Sequence, residues 1–259
     1  MDKKRIVVII LCGVMILGSI GTLTVIKVKE RQNQEKMEAL QETVRSVPDI
    51  EVEIPEVEEE EPVVIPIDFE EAWQENEDIV AWLEVPQTQV DYPILQSKPE
   101  MEEDFYLSHN LDGSGGYPGC VYIQKLNAAD FTDQVTVVYG HNMKNGSIFA
   151  TLHNYEDREF FDTNNEFHIY TPTTAQTYRV IAAVNYDDRL IPAYFNNFTS
   201  PSDVENFIKD IYSLGESERN HFYENSGIEG KDHYVVLSTC TSNSSNRWLV
   251  VGILDKDLE

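Results

Sequence analysis

Residues 235–242 read VVLSTCTS, and the segment that follows them at 247–251 reads RWLVV. Both are short runs of β-branched and apolar residues, and the Ser, Thr and Asn residues between them mark a turn. The pattern predicts two buried strands that follow each other along the chain. The first strand ends on Cys240 and the second begins with Arg247, so pairing of the two strands places a thiol beside a guanidinium.

A third run, VVYGHN at residues 137–142, delivers His141 to the end of another predicted strand. An imidazole can accept the proton of a cysteine thiol, whose ordinary pKa is about 8.5, and later return it to a leaving amine. A guanidinium can bind the oxyanion of a tetrahedral intermediate through directed N–H groups. His141, Cys240 and Arg247 together therefore predict acyl transfer at a carbonyl carbon. Taken singly, each also has a structural interpretation, as a turn residue, a buried thiol or a surface ion-pair partner.

The start of the chain has the composition of a membrane anchor. Residues 6–26 contain no charged side chain over 21 positions and are rich in Ile, Val and Leu. A helix of that length, rising about 1.5 Å per residue, spans a hydrocarbon core of about 30 Å. The apolar block is longer than that of a cleaved signal peptide. We therefore expect a single transmembrane anchor at residues 6–26, with residues 1–5 as a short cytoplasmic tail.

Acidic residues dominate the chain beyond the predicted anchor. The sequence carries 46 Asp and Glu against 19 Lys and Arg, a formal net charge of −27. Such a chain lacks the basic residues that neutralise phosphates, so we expect no nucleic acid partner. Residues 27–67 include the run EVEIPEVEEEEP, in which prolines and adjacent like charges favour an extended conformation. We predict an extracellular stalk at 27–67 and a folded domain at 68–259 outside a cell membrane that the chain crosses once.

The predicted folded domain is mainly β with helical insertions. Asp68 and Glu71 have the spacing of a helix N-terminus, and apolar residues at near-helical spacing continue through Leu83, which predicts one or two short helices. A second capping box, Ser202 to Glu205, predicts a helix before the last two strands. Seven or eight β-like runs predict a barrel or a sandwich. These runs lie at residues 90–95, 120–124, 134–139, 167–171, 177–185, 233–238 and 248–254.

The number and spacing of the cysteine and histidine residues argue against a disulfide scaffold and a metal site. Three cysteines occur, and only Cys120 and Cys240 lie outside the predicted anchor. This number excludes a disulfide scaffold, although one bridge between these two residues stays open. The sequence has no CxxC or HxxxH pair, and its six histidines are scattered. We therefore expect no metal site and no cofactor.

Taken together, the motifs resemble a known family. The run LSTC at residues 237–240, with Arg247 after it and YGHN at 139–142 upstream, closely resembles the sortases, the cysteine transpeptidases of Gram-positive bacterial surfaces. The resemblance extends to class B sortases at residues 76–96, at FYLSH (105–109) and at GSIF (146–149). It covers about residues 68–256, and the predicted anchor and stalk are also typical of the family.

The resemblance implies an eight-stranded sortase barrel with N-terminal helices, in which Cys240 attacks the carbonyl of a threonine in the sorting motif of a surface protein. An amine on peptidoglycan or on its lipid-linked precursor then resolves the thioester. His141 exchanges protons with the leaving and incoming amines, and Arg247 holds the oxyanion or orients the motif. By motif position, the residues that bind substrate are Tyr139, Ser238, Thr239 and Thr241. Tyr139 is also open to interpretation as a packed strand aromatic, and the backbone N–H of Thr241 is the second candidate oxyanion donor.

The chain departs from the family pattern in two places. Val236 stands where the family motif has threonine, and the loop at residues 241–246 is shorter than in some class B members, so substrate choice stays open. We expect wall anchoring rather than pilin polymerisation, because no C-terminal membrane span and no Asp-Pro-aromatic lid motif are found. Three alternatives stay open: a pilin-polymerising class B sortase, a cysteine peptidase or L,D-transpeptidase acting on peptidoglycan, and a non-enzymatic membrane-tethered binding module.

Overall fold

The computed structural model of the chain describes residues 3–45, 64–223 and 232–255, with side chains from residue 24 onward. Within these ranges it contains nine strands and five α-helices. The strands are β1 (Ile79–Glu84), β2 (Asp91–Gln96), β3 (Val121–Ile123), β4 (Val135–Tyr139), β5 (Glu166–Tyr170), β6 (Ala175–Asp187), β7 (His221–Phe222), β8 (Tyr234–Cys240) and β9 (Asn246–Leu254). The helices are α1 (Lys3–Val44), α2 (Phe69–Glu75), α3 (Arg158–Thr163), α4 (Ile191–Tyr194) and α5 (Pro201–Ser213). Short 3₁₀ turns lie at Phe105–Leu107, Ala150–Glu156 and Asn196–Phe198.

These strands form one sheet, and eight of them close into a barrel. The order of hydrogen-bonded neighbours is β5-β1-β2-β3-β4-β8-β9-β6-β7, and β5 also pairs with β6. The β5–β6 pairing joins the two ends of the eight-stranded set, so those strands keep no open edge. β7 is a two-residue strand added to β6. The predicted mainly β, eight-stranded barrel with helices is confirmed.

The barrel wall has an inner and an outer apolar face. Successive side chains of a strand point to opposite faces, and β8 follows this rule. Val235 and Leu237 belong to the inner cluster, whereas Val236 belongs to an outer cluster that packs under α5. Phe207 of α5 is fully buried in that outer cluster. Burying a side chain of this size stabilises the fold by about 1.5–3 kcal/mol, so α5 is an integral layer on this side of the barrel.

The start of α5 differs from the prediction by two residues. The helix begins at Pro201, and Ser200 is its N-cap. The Asp203 carboxylate accepts a hydrogen bond from the Ser200 backbone N–H at 2.9 Å, which closes the capping box. Proline at the first helical position has no N–H that needs a partner, so the cap falls on the residue before it rather than on Ser202. The predicted helix before the last two long strands is otherwise present.

The helical segment at the start of the domain is shorter than the sequence predicts. Asp68 caps α2 as predicted, because its Oδ1 accepts a hydrogen bond from Glu71 N at 3.0 Å. The helix ends at Glu75, however, and Trp82 lies on β1. The prediction of a helix through Leu83 is therefore wrong. Pairing of β1 with both β2 and β5 overrides the near-helical spacing of its apolar residues.

The predicted extended stalk is wrong for residues 27–44, which continue α1. Those residues contain no Pro or Gly and are rich in strong helix formers. Met37, Leu40 and Val44 are buried against the barrel, and Lys36 forms a 2.6 Å ion pair with Asp112. Residues 46–63, which hold the acidic proline-containing run, lie outside the described residues. Among the residues whose side chains the structure describes, no helix has both the length and the apolar character needed to cross a bilayer. Most of the predicted anchor at residues 6–26 lies outside those residues.

Candidate active site

The register of three adjacent strands brings His141, Cys240 and Arg247 to the same level. Cys240 is paired directly with Arg247 across β8 and β9. β4 runs parallel to β8 on its other side, with Tyr139 opposite Ser238, and Gly140 N donates to the Ser238 carbonyl at 3.1 Å. Two residues further along this register, His141 lies level with Cys240. Three residues that are distant in sequence therefore meet at one end of three strands.

The same three side chains share the outer face of the barrel. Cys240 has the parity of Val236 on β8, and Arg247 has the parity of Leu249 on β9, both members of the outer cluster. His141 likewise continues the parity of Val137 on β4. Side chains directly opposite each other on paired strands have Cβ atoms about 4.5–5.5 Å apart. The candidate site is thus an open surface at the rim of the barrel, beyond the part that α5 covers.

A groove with a volume of about 420 Å³ runs past these residues. That volume lies in the range of ligand-binding clefts. The end of β6 and the segment that follows it form one wall with residues 187–191, and Tyr122 and Tyr139 also belong to the lining. His141, Cys240 and Arg247 all line the groove.

The His141 ring is held by a backbone carbonyl. Its Nε2 lies 2.8 Å from the Leu107 carbonyl oxygen, and the Tyr117 ring packs on it with a centroid separation of 4.9 Å. A carbonyl oxygen can only accept, so Nε2 carries the proton in this arrangement. In the neutral ring, Nδ1 is then the atom that can accept a proton. Gly140 lets the strand end approach Phe149, because a Cβ at Gly140 would lie 2.8 Å from the Phe149 ring.

Cys240 is a free, partly exposed thiol whose backbone carbonyl lies close to two side chains. Asn142 Nδ2 donates to that carbonyl at 3.0 Å, and His153 Nε2 lies 3.0 Å from the same oxygen. The bridge to Cys120 that the sequence left open is not formed, because both cysteines are free. Cys120 is buried, and burial raises the pKa of its thiol. Of these two cysteines, only Cys240 lines the groove.

Arg247 is braced by the loop that joins β8 to β9. Its Nη1 donates to the carbonyls of Ser244 at 3.0 Å and Asn246 at 2.9 Å. Both of these hydrogen bonds within the described residues are donated by Nη1. The N–H groups of Nε and Nη2 can therefore bind an oxygen in the groove. The Thr241 hydroxyl donates to Asn243 O at 2.9 Å inside this loop. The loop therefore fixes the guanidinium before any ligand arrives.

The predicted substrate-binding residues divide into two groups. Tyr139, Ser238 and Thr239 line the groove, whereas Thr241 is absent from its described lining and directs its hydroxyl into the loop. Tyr139 packs on Tyr122 with a centroid separation of 5.4 Å and is also one of the residues that line the groove, so its contact with substrate stays a prediction. Burial raises the pKa of the Tyr139 hydroxyl, so this group stays protonated at neutral pH.

A family model described as "Sortase domain" matches residues 83–255. The chain belongs to the sortase family. It is 32% identical over 166 residues to sortase B of Listeria monocytogenes, a match that covers 64% of this chain and 63% of that protein's length. The crystal structure of Bacillus anthracis sortase B in complex with AAEK2 superposes with a TM-score of 0.68 and 25% identity, covering 86% of this chain and 96% of that one. A Streptococcus pyogenes class B sortase involved in pilus biogenesis has a TM-score of 0.60 and 25% identity, over 73% of this chain and 98% of that one. The predicted resemblance to class B sortases is confirmed.

Several residues of this sortase site were not predicted from the sequence. Leu107 and Asn142 lie within motifs that the resemblance singled out, but their contacts with His141 and Cys240 depend on the folded loops. His153 and the groove wall at residues 187–191 carry no sequence signal of their own. They reach the site only because the 3₁₀ turn at Ala150–Glu156 and the end of β6 fold back toward β8 and β9. Spacing along the chain could not indicate these contacts.

Proposed function

We propose that this sortase is a cysteine transpeptidase that cleaves a sorting motif after its threonine and transfers the acyl group to a cell-wall amine. The observation that supports this most strongly is the register of β4, β8 and β9. This register places His141, Cys240 and Arg247 level with one another at one groove. A nucleophile, a base and an oxyanion partner on one open face are what acyl transfer from a protein substrate requires.

In the proposed first half-reaction, the Cys240 sulfur attacks the threonine carbonyl while its proton passes to His141 Nδ1. The resulting imidazolium protonates the departing amine, the C–N bond breaks, and a thioester remains on Cys240. In the second half-reaction, an incoming amine gives its proton to His141 and attacks the thioester carbonyl. A new amide forms, the C–S bond breaks and His141 returns the proton to the Cys240 sulfur, so atoms and charges balance without a cofactor.

Two groups are proposed to bind the oxyanion of both tetrahedral intermediates. Arg247 presents Nε and Nη2 while the loop carbonyls hold its Nη1. The backbone N–H of Thr241 is the second donor, because it follows Cys240 directly. Tyr139, Ser238 and Thr239 are proposed to contact the sorting motif, which the groove lining supports.

We also propose that the chain acts at the outer surface of a cell membrane. The uncharged run at residues 6–26 would anchor it, with residues 1–5 in the cytoplasm. The partners would then be surface proteins that carry a sorting motif, and the acceptor an amine of peptidoglycan or of its lipid-linked precursor. Because α1 docks on the barrel through Val44, a catalytic unit that starts at Asp68 would lose part of its packing.

The proposed function is tested by incubating the full-length chain with a pooled library of sorting-motif peptides and an amine acceptor. We expect products cut after threonine and joined to the amine, and we expect none from Cys240→Ala or His141→Ala. Cleavage that persists in either variant would refute the assignment. An unreactive Cys240 in the native protein would favour the binding-module alternative.

Pilin polymerisation is the second candidate function. The supporting observation is the similarity to the Streptococcus pyogenes class B sortase involved in pilus biogenesis. The two functions differ in the acceptor, which is a peptidoglycan amine in wall anchoring and a lysine side chain of a pilin in polymerisation. Competition between the two acceptors in one reaction distinguishes the candidates by product mass.

A further inference from the structure

Behind the Cys240 thiol, two side chains and one backbone carbonyl make a tight cluster. Asn142 Nδ2 and His153 Nε2 each lie 3.0 Å from the Cys240 carbonyl oxygen, and they lie 2.9 Å from each other. Distances of this size are those of good hydrogen bonds. We call Asn142 and His153 the carbonyl clamp. The mechanism of acyl transfer described above makes no use of either residue.

The clamp is supported from behind by an ion pair. His153 Nδ1 lies 2.6 Å from a Glu156 carboxylate oxygen, and Arg219 Nε donates to the other oxygen at 2.8 Å. Burial raises the pKa of Glu156, but the hydrogen bonds and charges of Arg219 and His153 outweigh burial and hold that pKa below its usual value. The ring of His153 also stacks on Trp248, with a centroid separation of 5.8 Å. His153 therefore has little freedom to turn.

The hydrogen-bond roles in this cluster follow from its chemistry. An ionised carboxylate only accepts, so Nδ1 of His153 carries a proton toward Glu156. When His153 is neutral, its Nε2 accepts from Asn142, and when His153 is protonated, Nε2 donates to the Cys240 carbonyl. Asn142 Nδ2 donates to that carbonyl in both cases. The Cys240 oxygen thus always keeps at least one donor.

Holding this carbonyl also fixes the next N–H along the chain. The Cys240–Thr241 peptide is trans, because the cis bond of the described chain is Tyr117–Pro118. In a trans peptide the C=O and N–H bonds point in opposite directions. The Ser238 carbonyl, two residues before Cys240, accepts from Gly140 N on the β4 side of β8, and carbonyls two residues apart on a strand point to the same edge. The Cys240 carbonyl therefore points to the β4 edge, where Asn142 and His153 meet it, and the Thr241 N–H points to the β9 edge, on the side of Arg247.

We propose that Asn142 and His153 are positioning residues, which hold the Cys240–Thr241 peptide with its N–H directed at the oxyanion. This inference rests on the proposed function, because it concerns the oxyanion site of that reaction. If the peptide flipped, the carbonyl oxygen would face the developing negative charge and repel it. The clamp therefore acts on acyl transfer without touching the substrate.

Two reactions of the same thiol separate this role from a general structural one. Acylation of Cys240 by p-nitrophenyl acetate passes through an oxyanion, whereas alkylation by iodoacetamide is a displacement at a saturated carbon and forms none. The ratio of the two rates therefore reports on the oxyanion site and is independent of the sorting motif. Both rates are measured by intact mass on the full-length chain in detergent.

Four variants complete the experiment. His153→Phe keeps a ring on Trp248 but removes both nitrogens, and Asn142→Ala removes the other donor. His153→Gln retains an amide near the position of Nε2. The matched control is His168→Phe, because the His168 side chain is 23% exposed against 20% for His153 and lies on β5, away from the groove. Thermal unfolding of each variant verifies that it is folded.

We expect the acylation-to-alkylation ratio to fall about tenfold or more in His153→Phe and Asn142→Ala, at the low end of the loss for an oxyanion donor. The ratio should return to within about threefold of wild type in His153→Gln and stay unchanged in His168→Phe. An unchanged ratio in folded His153→Phe would overturn the inference, as would a wild-type Cys240 that alkylates but never acylates. Peptide transfer measured on the same samples tests the proposed function separately, because the ratio requires no sorting peptide.

Discussion

Replacing Arg247 with lysine keeps the positive charge but removes the planar guanidinium. In the wild-type structure one nitrogen, Nη1, bonds to the Ser244 and Asn246 carbonyls at 3.0 and 2.9 Å. The other nitrogens can then serve an oxyanion while the loop holds the group still. A lysine ammonium is a single nitrogen on a flexible stem, so it cannot bond both loop carbonyls and also direct two N–H groups into the groove.

The size of the effect follows from the number of hydrogen bonds lost. A hydrogen bond to a charged group is worth about 1.5–3 kcal/mol. If Arg247→Lys loses one such bond in the transition state, kcat/KM falls by about 10- to 150-fold, since about 1.4 kcal/mol corresponds to a factor of ten. Most of the loss should appear in kcat, because the oxyanion exists only in the transition state and in the intermediates.

The assay is steady-state cleavage of the best sorting-motif peptide, with Arg158→Lys as the matched control. Arg158 pairs with Asp162 on α3 and is half exposed, so its replacement should leave the rate unchanged. Turnover of Arg247→Lys within about twofold of wild type would refute the role given to the guanidinium and would leave it as a brace for the loop. A large rise in KM with unchanged kcat would also contradict the reasoning, because it would mean ground-state binding.

Two further predictions concern the layers packed around the barrel. Phe207→Ala empties a fully buried site under α5 and should lower the free energy of unfolding by about 3–5 kcal/mol, measured by urea denaturation; a loss below about 1 kcal/mol would contradict the packing described for the outer cluster. The hydrogen bond and ion pair with Lys36 and the Ser114 contacts hold the pKa of Asp112 well below its usual value. A lowered folded-state pKa adds stability above the unfolded-state pKa, so Asp112→Asn should destabilise the protein by at most about 1 kcal/mol at pH 7, because the pair is exposed. That difference should shrink as the pH falls below about 4, and a difference that grows at low pH would refute the assignment.

Local sequence patterns predicted the central strands well, and they also predicted that His141, Cys240 and Arg247 lie together, whereas the catalytic roles of the three residues stay predictions. β8 and β9 alternate cleanly between two buried faces, and their short connection leaves one register, so Cys240 and Arg247 had to be neighbours. His141 followed because a parallel partner strand ends in the same direction. Val236 lies in the apolar outer cluster, where its side chain needs no hydrogen-bond partner.

Features that depend on contacts between distant segments were predicted poorly. Trp82 lies at near-helical spacing from its neighbours, but strand pairing decides its conformation. Residues 27–44 looked like part of an acidic stalk because the prolines and glutamates at 51–62 dominated the composition. Their own composition favours a helix, whereas the docking of that helix through Met37 and Leu40 depends on the barrel surface. The place of His153 in the site could not be predicted for the same reason, because its partners come from three other parts of the chain.

The most direct test of the central claim is a search for the thioester on Cys240. The full-length protein is mixed with a sorting-motif peptide without an acceptor amine, quenched in acid and measured by intact mass. The account predicts an adduct with the mass of the acyl fragment on Cys240, which disappears when hydroxylamine or the amine acceptor is added and never forms on Cys240→Ala. Peptide cleavage without such an adduct, or with Cys240→Ala as active as the wild type, would contradict it.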